Sequence, residues 1–79
     1  MAQTTWKGDL AITNNVAWLY ARTGPNKWGY VGRTVAGGVM CVVLDVDDFS
    51  ARQRVAFVDG TSGWIHCSYL TLVQRKKRA

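Results

Sequence analysis

The chain is 79 residues long, 48% apolar and 19% charged, a globular balance in a length that holds one domain and buries only ~60% of its unfolded surface. Its longest uninterrupted apolar run, 39–44, is far short of the ~20 residues of a membrane-spanning helix. The formal charge of +5 is concentrated at one end: Arg75, Lys76, Lys77 and Arg78 supply four units, which leaves residues 1–74 near neutral and counts against a basic nucleic-acid-binding body.

In chain order, residues 1–9 (MAQTTWKGD) read as an N-terminal extension. They lack the basic start and apolar run of an export signal, so the expected location is cytoplasmic, with an extracellular role only after release by lysis. VAWLYAR (16–22) alternates, with Val16, Trp18 and Tyr20 on one face and Ala17, Leu19 and Ala21 on the other, the period of a half-buried strand. TGPNKWGYVG (23–32) carries Gly-Pro and two further glycines and is expected to form a long irregular loop, and AGG (36–38) a tight turn. VMCVVLDV (39–46) is β-branched and apolar on both faces, and DVDD (45–48) behind it reads as a solvated acidic turn. RVAFVD (54–59) and GWIH (63–66) are short strands joined through the hairpin DGTSG. A further strand is expected at 70–73 or at 10–13, and residues 74–79 read as a flexible basic tail. No stretch has helical periodicity and glutamate is absent. These elements predict an all-β fold, a small barrel spanning 10–73, because closure removes exposed edges.

Chemistry has few candidates. His66 and Cys67 are sequence neighbours, but in an extended segment their side chains point to opposite faces and do not converge as base and nucleophile. His66 is expected to be hydrogen-bonded at the edge of the fold, with Trp64 sealing it. Cys41 and Cys67 have neither a metal-ligand spacing nor histidine partners; two free thiols are expected, with a bridge between them left open. Asp45, Asp47 and Asp48 lack the glycine and distal Glu of a calcium loop. No catalytic residue, cofactor or metal is therefore expected.

LYARTGPNKWGYVGRTVAGGVMCVVL followed by DGTSGWIHCSYL resembles the bacterial SH3 domain pattern over roughly residues 10–72. The matching positions are Leu19, Arg22, Gly24, Pro25, Gly32, Val35, Gly38, Val43, Leu44, Gly63, Trp64, His66, Ser68, Tyr69 and Leu70. The resemblance implies an SH3-like β-barrel of five to seven short strands with a short helical turn near 67–70. It also implies a non-enzymatic module that binds peptides, including the peptide part of peptidoglycan, as in cell-wall hydrolases and their phage counterparts. Two departures from the pattern are expected: these 79 residues leave no room for a catalytic domain of their own, and the Trp that usually precedes the penultimate strand is replaced by DDFSARQR, with Phe49 as its substitute.

The ligand-binding residues expected on this reading are Trp18, Tyr20, Arg22, Trp28, Tyr30 and Tyr69, rings with polar edges placed outward if Leu19 faces the core. Met40 and Val42, opposite Cys41 and Val43, suggest a strand face covered by a second copy of the chain. The competing expectation is a nucleic-acid binder that stacks bases on Trp18, Tyr20 and Trp28 and holds phosphates with Arg75, Lys76, Lys77 and Arg78. A membrane partner is not expected.

Overall fold

A computed structural model describes residues 5–25, 27–47 and 49–76. The alternating segments form strands: β1 (Leu10–Thr13), β2 (Ala17–Gly24), β3 (Lys27–Val35), β4 (Met40–Asp47), β5 (Arg52–Phe57), β6 (Ser62–His66) and β7 (Leu70–Gln74), with a 3-10 turn at Cys67–Tyr69 before the last. Both segments weighed for the extra strand are strands, and the helical turn near 67–70 is present.

The strands make one antiparallel sheet in the order β3-β2-β6-β5-β4-β1-β7. Hydrogen bonding leaves it open, with β3 and β7 as its edges, where the sequence predicts closure. The sheet is nonetheless curled. Leu19, Val43, Val55, Ile65 and Leu70, from five different strands, share one buried cluster, and Val35 of edge strand β3 packs against it as well. Strands at both ends of the order reach the same core only if the sheet bends around it. Burying each Leu, Ile or Val of this cluster contributes about 1.5–3 kcal/mol.

The expectation of an irregular loop over 23–32 is overturned. Gly24 pairs with Lys27, and Arg22 with Trp28, Ala21 with Gly29 and Tyr20 with Tyr30, so β2 and β3 form a long hairpin arm. Aromatic cross-strand pairs stabilise it, and its glycines serve strand geometry instead of ending it. Between Trp18↔Thr34 and Tyr20↔Tyr30, one residue of β2 faces three of β3. Gly32, at φ +75°, lies inside this irregularity in a conformation that L side chains resist.

Residues 5–9, expected as an extension, are packed against the sheet. Gly8 N–H donates to Val43 O at 2.8 Å and Val43 N–H to Asp9 O at 3.0 Å, which prolongs the ladder beside β4. Thr5 and Gln53 are both buried and bond twice: Thr5 Oγ1 donates to Gln53 Oε1, and Gln53 Nε2 donates to Thr5 O at 2.7 Å. The fully buried Asp9 carboxylate accepts from Trp6 N–H and from Lys76 N–H, each at 2.8 Å, and so ties the start of the fold to the end of it. Phe49 is 85% exposed and substitutes for no core aromatic. Among the described residues no helix is long and apolar enough to cross a membrane.

Candidate functional site

Alternation along β2 turns Ala17 and Leu19 into the core and Trp18 and Tyr20 outward. On the hairpin, Tyr30 lies beside them, its ring centroid 4.9 Å from that of Trp18 and 6.2 Å from that of Tyr20. The 3-10 turn supplies Tyr69 from the other side. Asn14 holds that turn in place, donating from Nδ2 to Ser68 O at 3.1 Å and from its main chain to Tyr69 O at 2.9 Å. A cleft of about 530 Å³ lies between the two, lined by Trp18, Tyr20, Arg52, His66, Ser68 and Tyr69. Three of the expected ring residues, Trp18, Tyr20 and Tyr69, therefore share one concavity, with Tyr30 stacked behind Trp18.

Trp28 and Arg22 are placed differently. Trp28 is half-buried and packs edge-on against Trp64 at 5.1 Å between centroids. Trp64 is itself buried but belongs to this outer layer, not to the core cluster. Two guanidinium groups flank the indoles: Arg22 Cζ lies 5.6 Å from the Trp28 ring and 5.9 Å from Trp64, and Arg52 Cζ 4.9 Å from Trp28 and 5.2 Å from Tyr20. Stacks of this kind are worth about 0.5–2 kcal/mol each. Trp28 and Arg22 thus support the cleft wall, while Trp18 and Tyr69 face solvent across it.

Arg52, His66 and Ser68 line the cleft but were not among the expected ligand-binding residues. DDFSARQR reads as a polar connector, yet Arg52 opens β5 and pairs in register with His66 of β6. That cross-strand partner, 14 positions away in the chain, carries no local signal. His66 is exposed; its Nδ1 lies 2.8 Å from Ser68 Oγ and accepts from Ser68 N–H at 3.2 Å, so this nitrogen caps the 3-10 turn. Cys67 is not its partner: the Cys67 main-chain N–H donates to Ala51 O.

Both cysteines are free, and burial pushes the Cys41 thiol up to about 11. Asp45 and Asp47 of DVDD do not lie in a solvated turn. Asp45 and Asp47 are strand residues of β4, paired with Lys7 at 3.4 Å and Arg22 at 3.6 Å. The Val46 N–H, and then Lys7, hold the Asp45 carboxyl below its ordinary range. Asp48 lies outside the described residues, as do Lys77 and Arg78 of the expected electrostatic tail. Arg75 and Lys76 are exposed, and the Lys76 main chain is tied to Asp9, so neither lines the cleft. No group of three or more metal-ligating side chains occurs among the described residues.

Comparison with family models, curated proteins and solved structures gives no match.

Proposed function

We propose that the chain is a non-enzymatic, SH3-like binding module that holds an extended peptide or protein surface in the cleft between the β2–β3 hairpin and the 3-10 turn. The observation that carries this reading is the set of rings, solvent-facing Trp18 and Tyr69 with half-buried Tyr20, around one concavity of about 530 Å³. Rings with polar edges supply contact area at low rotamer cost, as peptide grooves do. The curl of the sheet, the helical turn before the last strand and the G-W-I-H-C-S-Y-L segment support the bacterial SH3 likeness. That likeness makes the peptide stem and bridge of peptidoglycan the first ligand to test.

The test is co-sedimentation with purified cell walls beside pull-down from a bacterial lysate, each with the wild type and Trp18→Ala. Binding to either that falls at least tenfold in Trp18→Ala, at unchanged thermal stability, supports the reading; binding that ignores this ring refutes it. The nucleic-acid alternative predicts affinity that drops steeply with salt.

The outer face of β4 supports a second contact. Met40, Val42 and Leu44 are about 40% exposed, and Leu10 and Val58 extend the apolar surface to either side. We infer that a second copy of the chain covers it, since apolar surface of this continuity is withdrawn from water in stable assemblies.

A further inference from the structure

Arg52 is a half-buried cation with no anion among the described residues. Its guanidinium lies between the Tyr20 and Trp28 rings, and its Nε is shielded from solvent with no hydrogen-bond partner. Among the described residues no carboxylate lies within ion-pair distance of it. Asp47 stands directly across the ladder from Arg52, yet its carboxylate pairs with Arg22. The one acid opposite these two guanidinium groups is thus engaged by Arg22 and not by Arg52. A charge taken partly out of water is costly unless it is paired, and the cleft that Arg52 lines contains no acidic side chain.

We infer that Arg52 is the anchor for a carboxylate carried by the peptide that occupies the aromatic cleft. This rests on the reading of the cleft as a peptide groove. The Tyr20 and Trp28 rings hold the guanidinium at the cleft, and its planar fork matches the two oxygens of a carboxylate. A polyphosphate backbone fits less well, because it needs a track of cations. Lys7 and Arg22 are paired with Asp45 and Asp47, and Arg33 bonds Thr61 beside a different concavity. The one guanidinium that lines this cleft suits one carboxylate, with the peptide's apolar side chain laid on Trp18 and Tyr69.

The experiment follows the Arg52 Nε–H and Trp18 indole N–H resonances of the full chain by NMR. The probes are acetyl-alanyl-tyrosine with a free carboxylate, the same dipeptide as its amide, and inorganic phosphate. The expected result is that the acid shifts both resonances and binds at least tenfold more tightly than the amide. Arg52→Gln should abolish that difference and Arg52→Lys should reduce it. Should Arg52→Gln fail to fold, the wild-type acid-to-amide ratio and Arg52→Lys decide the matter. Equal binding of acid and amide at the Trp18 indole overturns the carboxylate role and leaves the peptide groove standing. Tighter binding of phosphate than of the acid at Arg52 overturns it in favour of a phosphate ligand. No shift of either resonance with either dipeptide removes both readings.

Discussion

Removing the Asp9 side chain measures how far the N-terminal segment belongs to the cooperative fold. The Asp9 carboxylate is fully buried and accepts from the main-chain N–H groups of Trp6 and Lys76. Hydrogen bonds to a charged acceptor contribute about 1.5–3 kcal/mol each, and a donor left unpaired costs its full desolvation. Asp9→Ala forfeits both, so the expected loss is about 3–5 kcal/mol. A chain of this length has a total stability of roughly 4–12 kcal/mol, so the variant should forfeit between about a quarter and all of it. Asp9→Asn keeps one acceptor oxygen and turns an amide donor toward the other N–H, for an expected loss of about 2–3 kcal/mol.

Urea unfolding followed by tryptophan fluorescence reads the change directly, and the slope should stay constant if only stability has changed. At about 4–8 °C per kcal/mol for a domain of this size, Asp9→Asn should melt at least ~8 °C lower. If both variants lie within ~0.5 kcal/mol of wild type, the Asp9 contacts to Trp6 and Lys76 contribute nothing to the cooperative unit.

Ala51 stands at φ +58°, the left-handed region, where a β-carbon costs about 1–2 kcal/mol. Ala51→Gly should therefore stabilise by about 0.5–1 kcal/mol net of glycine's entropy, and a measured loss would refute the strain. Cys41 is 3% exposed and its thiol is pushed up to about 11 from 9.0. Below pH 9 both folded and unfolded forms keep the proton; between about 9 and 11 the unfolded thiol ionises first, so stability should fall by up to about 2–3 kcal/mol as pH rises. Cys41→Ala should lose this alkaline limb, and a limb of equal depth in the variant would assign it to other groups. At pH 8 an alkylating agent should modify Cys67 well before Cys41, which mass spectrometry of the labelled peptides checks. For the β4 face, sedimentation velocity should show a concentration-dependent dimer that Val42→Glu abolishes; a monomer at millimolar concentration would remove the second copy.

Period-two alternation is a local property, so the separation of Leu19 from Trp18 on β2 and of Val43 from Val42 on β4 was legible; which face is dry was not, since β2 carries large apolar side chains on both faces and β4 is apolar on both. The hairpin arm was not legible. Gly24, Pro25, Gly29 and Gly32 are turn formers in isolation, and what makes 27–35 a strand is the register of Tyr30 on Tyr20 and Trp28 on Arg22. Long-range bonds were equally silent. Thr5 meets Gln53 across 48 positions and Asp9 meets Lys76 across 67, and a segment that reads as polar and short carries no mark of where it docks. Arg52 was overlooked for the same reason, since its place beside the rings depends on the pairing of β5 with β6 and the lean of the hairpin over both.

Placement also separates the rings that can test ligand binding from those that cannot. Trp28 and Trp64 form the wall, with Arg22 and Arg52 stacked on it, so truncating either indole removes packing and cation contacts together. A binding loss in Trp28→Ala would therefore not distinguish a lost contact from a collapsed arm. Trp18 is 54% exposed and Tyr69 37%, and each is held through its main chain by β2 or the 3-10 turn. Truncating these rings changes what the cleft offers while leaving the core residues Leu19 and Leu70 in place. The same asymmetry explains why aromatics can face water here: the hidden pair on the outer layer fixes the arm, and the arm in turn presents the outer rings without requiring their own burial.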